Sequence, residues 1–268
     1  MEECVLITGA TGGLGKAFAV ECARRKFDLY LTDRSEEKLE ALAKALGSTY
    51  SVKTRYYACD LMHMEARREL FSDIVRRGIE PVMAVNVAGL DFEGPVNEQG
   101  REAICRIVRI NAEAALDVSH FVASAPHRGR FYIVNVASLA GFCPMPLKAA
   151  YAAAKRLVIN FSLALREEIR DNGGALTVLC PAGMRTNREN IDNIDSQGII
   201  GRLTTLETGT IAAVALDCVL KNKPVCIPGA FNRFLRLLTV VFPPRVVARA
   251  IHYRWRVTRK RPPLPREQ

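Results

Sequence analysis

A glycine-rich turn directly after the first apolar segment limits what this chain can fold into more than any other feature. Residues 2–8 (EECVLIT) predict a short buried strand, residues 9–15 (GATGGLG) follow at once, and a helical pattern runs over residues 16–26. Strand, glycine turn and helix in this order point backbone N–H groups and a helix N-terminus at a phosphate, and glycine permits the close approach of a pyrophosphate. The spacing Gly-x-x-x-Gly-x-Gly therefore predicts a phosphate-binding turn, with a plain turn as the alternative.

An acidic residue ends the second predicted strand, eighteen positions after Gly15. Asp33 follows the run 27–32 (FDLYLT), where a carboxylate can accept hydrogen bonds from the ribose hydroxyls of an adenosine. The same charge would repel the 2′-phosphate of NADP, so we favour NAD; the guanidinium of Arg34 suits a phosphate and keeps NADP as the alternative. A helix start with Ser35 as its N-cap explains the same residues, and both interpretations can hold together.

A tyrosine and a lysine four positions apart form the second informative pattern. Tyr151 and Lys155 share one helix face, with Cβ atoms ~5–6 Å apart, and Ser138 lies thirteen residues upstream. An ammonium ~4 Å from the phenol, at an effective dielectric constant of ~20, favours the phenolate by ~4 kcal/mol, which predicts a tyrosine pKa lowered from ~10 towards ~7. The serine hydroxyl could hold a substrate oxygen beside the phenol. Taken alone, the spacing also describes a solvated helix face.

Taken in order, these motifs resemble a short-chain dehydrogenase/reductase of the single-domain branch over residues 4 to about 230. Further motifs at the ends of predicted elements strengthen the resemblance: Asp60-Leu61 after the third strand, Asn86-Val87-Ala88-Gly89 after the fourth, Asn111 in a helix, and Pro181-Ala182-Gly183-Met184-Arg185-Thr186 after the sixth. Ala182 stands where the family usually has glycine, which leaves the geometry of that loop open.

The resemblance implies hydride transfer between a nicotinamide cofactor and a carbonyl or secondary alcohol carbon. Tyr151 would be the general acid in reduction and the base in oxidation, and Lys155 would bind the nicotinamide ribose and lower the tyrosine pKa. Ser138 would position the substrate oxygen, and Asn111 would anchor a water of the proton relay; an ordinary turn serine and an ordinary helix-polar residue are the alternatives. The implied cofactor-binding residues are Gly9, Thr11, Gly13, Leu14, Gly15, Asp33, Arg34, Asp60, Leu61, Asn86, Ala88, Gly89, Tyr151, Lys155, Pro181, Met184 and Thr186.

Strands alternate with helix-length amphipathic stretches, which predicts an α/β fold: a doubly wound, seven-stranded parallel sheet of Rossmann type with helices on both faces. The predicted strands are Cys4–Ile7, Asp28–Leu31, Lys53–Ala58, Met83–Asn86, Phe131–Val136, Ala175–Leu179 and Pro224–Ile227. Ligand is expected beyond their carboxyl ends. We interpret residues 1–230 as one Rossmann-fold oxidoreductase domain and residues 231–268 as a basic amphipathic C-terminal helical extension.

The charge is concentrated in that extension. Nine arginines and one lysine against Glu267 account for +9 of the formal net charge of +10. Apolar and aromatic residues alternate with the arginines at near-helical intervals, broken at Pro243-Pro244. A basic amphipathic helix predicts contact with an anionic membrane surface, while packing over the substrate cleft or a subunit interface is equally open. Nucleic acid is disfavoured as a partner, because the basic residues sit on a hydrophobic helix and no reader fold is recognisable.

The eight cysteines are scattered without a C-x-x-C pair and the chain has four histidines, which predicts reduced structural thiols, no disulfide and no metal site. The first residues lead straight into a strand, and no stretch reaches 18 uncharged apolar residues. We therefore expect a cytoplasmic protein without a signal peptide or spanning helix, with peripheral membrane association through the basic extension as an addition.

The substrate is the least constrained part of the prediction. A polar run with glycines over about 184–206 suits a mobile lid. Phe142, Met145, Pro146 and Leu147 would add an apolar wall, which favours a lipophilic, acyl or steroid-like carbonyl. The resemblance also implies a homo-oligomer built through the helices that hold Asn111 and Tyr151. The competing function is a catalytically silent nucleotide-binding sensor or scaffold, attached to a membrane or partner through the basic tail; such proteins usually lose the tyrosine or the lysine, and this chain keeps both.

Overall fold

A seven-stranded parallel sheet forms the centre of the molecule in this computed structural model, which describes residues 2–91, 93–184 and 203–259, the last four by their backbone alone. The strands are β1 (Glu2–Thr8), β2 (Leu29–Asp33), β3 (Thr54–Ala58), β4 (Ile79–Asn86), β5 (Phe131–Val136), β6 (Gly174–Leu179) and β7 (Val225–Cys226). They lie in the order β3-β2-β1-β4-β5-β6-β7, and every neighbouring pair is parallel. The predicted fold class is confirmed.

The seven predicted strands are all present, but β4 begins four residues earlier than the prediction, at Ile79. This extension contains Pro81, which lacks an N–H group and is normally confined to edges and bulges. The pairing of β1 with β4 shifts at this point, so that Cys4 lies opposite Pro81 and Val5 lies opposite Met83. The register shift accommodates the proline within β4, the fourth and therefore central strand of the seven.

Helices cover both faces of the sheet, as the alternation of strands and helices predicted. They are α1 (Gly13–Arg24), α2 (Glu36–Tyr50), α3 (Met64–Arg76), α4 (Arg101–Val108), α5 (Ala114–Ser124), α6 (Ala149–Ile169), α7 (Thr208–Leu220), α8 (Ala230–Val241) and α9 (Pro244–Arg259). Alternate residues of β1 enter different cores: Val5 and Ile7 pack with α1, α2 and α7, whereas Cys4 and Leu6 pack with α3 and α5. The two cores bury β1 on both sides.

A π-helical turn, Arg109–Glu113, separates α4 from α5 where the sequence predicted ordinary helix. It contains Asn111, whose side-chain Nδ2 donates to Ile107 O at 3.0 Å and to Leu90 O at 2.6 Å. A side chain that bonds a carbonyl four residues back competes with the regular helix ladder. Turns of this kind often mark functional positions.

Two helices follow β7, with a break at Phe242 and Pro243. Before α8, Gly229 has a positive φ of 89°, and Asn232 in the first turn is buried, with Nδ2 donating to Pro228 O at 2.9 Å and Thr204 O at 3.1 Å. These bonds fix the start of α8, which packs against a 3₁₀ turn at Leu139–Phe142. Within the described ranges, no helix is both long enough and apolar enough to cross a bilayer.

All eight cysteines are free thiols. Five of them are buried: Cys4, Cys22, Cys59, Cys180 and Cys226. Burial raises the pKa of the Cys22 thiol to about 12, so it behaves as a small apolar side chain rather than as a nucleophile. Over the described part of the chain, no group of three or more His, Cys, Asp or Glu side chains could hold a metal ion.

Candidate active site

The glycine turn is held against the end of β4 by very close backbone contacts. Gly9 has a positive φ of 63°, and a Cβ at this position would lie 2.9 Å from the Cα of Ala88. At Gly15, a Cβ would lie only 2.0 Å from Gly9 O. Thr8 completes the link, because its Oγ1 accepts from the backbone N–H groups of Val87 and Ala88 at 3.1 and 3.2 Å. Only glycine fits at Gly9 and Gly15, which explains the motif sterically.

The turn leads into the N-terminus of α1, which begins at Gly13. Among the described residues none provides a side-chain cap at Gly12, and the first turn of α1 carries no acid. Uncapped N–H groups and the positive end of the helix dipole suit an anion. The predicted residues Leu14 and Gly15 lie in this first turn. The arrangement fits the pyrophosphate of a dinucleotide.

Asp33 lies beside the glycine turn at the end of β2. Its Oδ2 accepts from Thr11 N at 3.0 Å and Thr11 Oγ1 at 2.6 Å, and its Oδ1 accepts from Arg34 N at 2.7 Å. These bonds fix the carboxylate where the adenosine ribose was predicted, with exposed Arg34 as its neighbour. The helix-start interpretation also holds, because Ser35 Oγ accepts from Lys38 N at 3.4 Å at the N-terminus of α2.

Arg67, which no sequence pattern singled out, supports the Asp60-Leu61 turn. The side chain of Arg67 is almost completely buried in α3, and it donates to Leu61 O at 2.6 Å. It also pairs with Glu113 at 2.6 Å and with Asp117. Arg67 therefore ties the turn to the π-helical turn and to α5. Its pattern in the sequence is that of an exposed helical charge, and only the tertiary structure reveals its role.

Asn86, one of the predicted cofactor residues, points into the core. Its Nδ2 donates to Asn135 Oδ1 at 2.8 Å and to Ser119 Oγ at 3.1 Å, and the whole side chain is buried. The side chain thus joins β4 to β5 and α5. A contact between Asn86 and a cofactor would therefore have to use the backbone of this residue. Ala88 and Gly89, which follow, are progressively more exposed at the edge of the sheet.

Gly89, Asn111 and Lys155 converge on one point. A Cβ at Gly89 would lie 2.6 Å from Asn111 Oδ1 and 3.5 Å from Lys155 Nζ. Asn111 Oδ1 is buried and has no hydrogen-bond partner among the described residues, although its Nδ2 is fully used. Lys155 Nζ donates to Val136 O at 2.9 Å. An unsatisfied acceptor here is what the predicted water site requires.

Tyr151 and Lys155 lie together on α6, and the lysine is 4% exposed. Lys155 Nζ lies 5.7 Å from the centroid of the Tyr151 ring, and the Ser138 hydroxyl is close enough to Tyr151 to lower its pKa. Ser138 is buried and its Oγ also accepts from Ala140 N at 3.2 Å, so it serves its own turn as well. The alternative of a solvated helix face is wrong for this pair.

Burial controls the proton affinity of both groups. It raises the pKa of Tyr151 well above its usual range; the Asp91 carboxylate adds to this, and the hydrogen bond with Ser138 opposes it. Burial lowers the pKa of Lys155 to about 8. The predicted lowering of the Tyr151 pKa by Lys155 is therefore wrong for this structure, because desolvation of the phenol outweighs an ammonium held on a backbone carbonyl. Tyr151 is protonated at neutral pH.

The loop after β6 lies against the turn that holds Ser138. Leu139 N donates to Pro181 O at 2.8 Å, and Met184 forms a parallel bridge with Leu206. Pro181 and Met184 therefore lie at the predicted edge of the sheet. Thr186, Arg185 and most of the predicted lid over 184–206 lie outside the described residues.

The two C-terminal helices reach this site. The guanidinium carbon of Arg236, in α8, lies 4.0 Å from the centroid of the Phe142 ring. Lys148 Nζ lies 5.8 Å from the ring centroid of Tyr151 and 5.9 Å from that of Trp255, in α9. The possibility that the tail folds over the cleft thus has direct contacts in its favour. The apolar wall predicted at residues 142–147 is partly buried and faces these helices at Phe142.

Together, a glycine turn at the switch point of a doubly wound sheet and a buried serine, tyrosine and lysine at the same edge define a nucleotide-binding α/β protein of Rossmann type. The family model described as short chain dehydrogenase matches residues 3–195, and the chain belongs to that family. The family prediction is confirmed.

Three similar proteins illustrate the relationship. Very-long-chain 3-oxoacyl-CoA reductase-A of Danio rerio is 30% identical over 191 residues, which are 69% of this chain and 59% of that protein. The very-long-chain 3-oxoacyl-CoA reductase of Anas platyrhynchos is 29% identical over 84% of this chain and 72% of its own length. A short-chain dehydrogenase from Sphingobium yanoikuyae, solved with NADPH, is 28% identical with a TM-score of 0.74, over 88% of this chain and 92% of that one. This chain thus spans about three fifths of the first of these relatives.

The lowered pKa of Lys155 predicts a pH dependence of stability. Between about pH 8 and its ordinary value of 10.5 the unfolded chain binds this proton and the folded chain does not, so the free energy of unfolding rises with pH across that window. Relative to a Lys155→Met variant, the native protein should gain roughly 1–3 kcal/mol between pH 8 and pH 10. Urea unfolding of both proteins at the two pH values measures this difference. Parallel pH profiles would contradict the lowered pKa.

Proposed function

We propose that this protein is an NAD(P)-dependent oxidoreductase that acts on the carbonyl or secondary alcohol group of a lipophilic, acyl or steroid-like substrate. The observation that carries the proposal is the position of Tyr151, next to Ser138 and 5.7 Å from Lys155 Nζ, at the edge of the sheet that also presents the glycine turn. Nucleotide binding and proton transfer are thereby supported at one place.

Each polar group has a distinct task. Ser138 and the Tyr151 hydroxyl hold the substrate oxygen, and Tyr151 donates a proton to it as the carbonyl is reduced. The Lys155 ammonium, fixed on Val136 O, stabilises the phenolate that remains. The free Oδ1 of Asn111 orders a water that returns the proton. A bound nicotinamide supplies or accepts the hydride.

Reduction is the direction that the proton affinities favour. Burial keeps Tyr151 protonated at neutral pH, and a protonated phenol is ready to give a proton to a carbonyl oxygen. The reverse reaction would first have to remove that proton from a buried group, which costs free energy in proportion to the raised pKa.

The proposed cofactor is NAD, with NADP as the alternative. The Asp33 carboxylate, fixed by Thr11 at the end of β2, would repel a 2′-phosphate on the adenosine ribose. Arg34 is exposed next to it and could accept such a phosphate. The Sphingobium yanoikuyae relative was solved with NADPH, so both dinucleotides belong in the test.

The lipophilic substrate rests on the relatives and on the wall beside Tyr151. The relatives from Danio rerio and Anas platyrhynchos are named for very-long-chain 3-oxoacyl-CoA substrates. In this chain Phe142, Met145 and Leu147 lie between Ser138 and Tyr151 and are partly buried. A silent nucleotide sensor is the less favoured function, because it gives no role to a buried lysine held within 6 Å of the tyrosine ring.

We further propose that the protein is a homo-oligomer. Val108 in α4 and Leu157 and Leu163 in α6 are exposed apolar side chains on the helices that flank the site. A second copy of the chain covering these helices would remove them from water.

The membrane is the proposed partner of the C-terminal extension, residues 231–268, with residues 1–230 as the catalytic domain. Four apolar side chains of α8 are more than half exposed: Phe234, Leu237, Val240 and Val241. Arg245 and Arg249 of the following helix, α9, are exposed too, and the extension as a whole carries +9. Apolar insertion flanked by arginine complements an anionic bilayer surface. The protein would therefore work in the cytoplasm at a membrane face.

For the enzyme, we expect purified protein to bind NADH more tightly than NADPH and to reduce lipophilic ketones. Tyr151→Phe should lower kcat by about 10²–10⁴-fold, because it removes the general acid. Tyr253→Phe is the matched control, since that tyrosine is 73% exposed on α9. Fluorescence titration and steady-state kinetics measure both effects. Failure to bind either dinucleotide, or full activity of Tyr151→Phe, would refute the proposal.

For the oligomer, light scattering should give a multiple of the 29.7 kDa chain mass. Leu157→Glu should shift the protein towards single chains, because it places a charge in the proposed interface. Leu220→Glu alters an exposed leucine of α7 instead and should leave the mass unchanged. A single-chain mass for the native protein would rule out the oligomer.

For the membrane, flotation with vesicles of phosphatidylglycerol and phosphatidylcholine should recover the native protein, and added salt should weaken binding. Val241→Glu should reduce the bound fraction about tenfold, because a buried valine is worth ~1.5 kcal/mol or more. Val75→Glu, in α3, is the control, because Val75 is 67% exposed and Val241 is 66% exposed. Equal binding of the two variants would contradict membrane contact through α8.

A further inference from the structure

The inner side of helix α8 carries polar as well as apolar side chains. Its most buried side chain is Asn232, at 1% exposure, and Arg236 and Thr239 are partly buried, whereas Phe234 and Leu237 are more than half exposed. Three apolar residues of the helix, at positions 231, 235 and 238, are partly buried as well. Residues four apart lie on one helix face, so Asn232 and Arg236 share the inner side. A guanidinium on the inner side of a helix needs a polar partner, because a buried charge without one is costly.

The guanidinium of Arg236 lies close to the candidate active site. It covers the ring of Phe142, four residues after Ser138, with its carbon 4.0 Å from the ring centroid. Phe142 packs in turn on the core cluster that contains Ala154 and Val158 of α6. Burial raises the pKa of the Cys180 thiol to about 12, and both Lys155 and Arg236 oppose this rise. Both cations therefore lie within electrostatic range of Cys180.

Most of the hydrogen-bonding capacity of Arg236 is unused within the described residues. One of its terminal nitrogens donates to Thr239 Oγ1 at 3.2 Å, one turn along the same helix. No carboxylate of the described part of the chain lies within 4.0 Å of it, in contrast to Lys148, which pairs with Asp91. A guanidinium has five N–H donors in a fixed plane. Stacking on an aromatic ring holds that plane and leaves its edge open to an oxyanion.

We infer that Arg236 binds an anionic group of the substrate, a carboxylate or a phosphate ester, while Ser138 and Tyr151 hold the carbonyl that reacts. The inference rests on the proposed function and adds the substrate class: a lipophilic ketone that carries an acid. Two charge-assisted hydrogen bonds from one guanidinium would make Arg236 a specificity determinant that acts on substrate binding.

The experiment compares three ketones of one chain length: a keto acid, its methyl ester and the corresponding keto-alkyl phosphate. Native protein, Arg236→Met and Arg236→Lys are assayed with saturating dinucleotide, and Arg233→Met, on the exposed side of the same helix, is the control. We expect Arg236→Met to raise the KM of the acid or the phosphate about 10- to 100-fold relative to the ester. Arg236→Lys should show a smaller rise in KM, because it keeps the positive charge. Arg233→Met should leave the KM values of the acid and the phosphate unchanged relative to the ester. The anion with the larger loss identifies the natural head group.

A binding measurement separates this inference from the proposed function. Trp255 is the single tryptophan of the chain, and its ring centroid lies 5.9 Å from Lys148 Nζ, so its fluorescence reports on the site. If no ketone is reduced, the proposed function fails, while titration with decanoate, decyl phosphate and decanol still tests Arg236. Loss of anion binding relative to decanol in Arg236→Met, with native circular dichroism, supports the inference. Equal changes for anionic and neutral ligands in either assay, or equal effects of Arg233→Met, would overturn it.

Discussion

The close approach of three backbone segments at the end of β1 is the constraint on which the rest of the site depends. Gly9 must pass the end of β4 at a distance that admits no Cβ, and Gly15 must pass Gly9 itself. Thr8 locks the same junction by accepting two hydrogen bonds from Val87 and Ala88, the residues that follow β4. Because of this contact, α1 starts close to the end of β4, near the edge of the sheet where the reactive side chains lie. Any side chain at either glycine would move the helix and open the junction.

Burial then determines the chemistry of the reactive groups. Lys155 is held on a backbone carbonyl inside the protein, and its ammonium is destabilised by the loss of water. Tyr151 is destabilised as a phenolate for the same reason. One effect thus moves the two pKa values in opposite directions, the phenol upwards and the ammonium downwards. The spacing of Tyr151 and Lys155 on one helix face predicted a lowered pKa for Tyr151. That prediction failed because spacing describes how close two residues are and carries no information about their exposure to solvent.

The sequence predicted what depends on local patterns and missed what depends on packing. The strands and the glycine turn were predicted correctly because the periodicity of apolar residues and the spacing of glycines are properties of the local sequence. The π-helical turn at Asn111, the core role of Asn86 and the buried Arg67 could not be found in this way. Each depends on a partner about 20 to 50 positions away in the sequence: Leu90 for Asn111, Asn135 for Asn86 and Asp117 for Arg67. Hydrogen bonds between residues far apart in the chain produce no periodic pattern in the amino-acid sequence.

The two sides of α8 connect the membrane proposal with the substrate proposal. Exposed apolar side chains on the outer side and the partly buried Arg236 guanidinium on the inner side are both costly for a protein that meets only water. Both sides are satisfied if lipid covers the outer face and an oxyanion reaches Arg236 on the inner one. An amphiphile with a long apolar chain and an acidic head has both properties, and it concentrates at the same bilayer surface. Under both proposals, α8 would guide such a molecule from the lipid to Tyr151, with its acid held by Arg236 and its ketone beside the phenol.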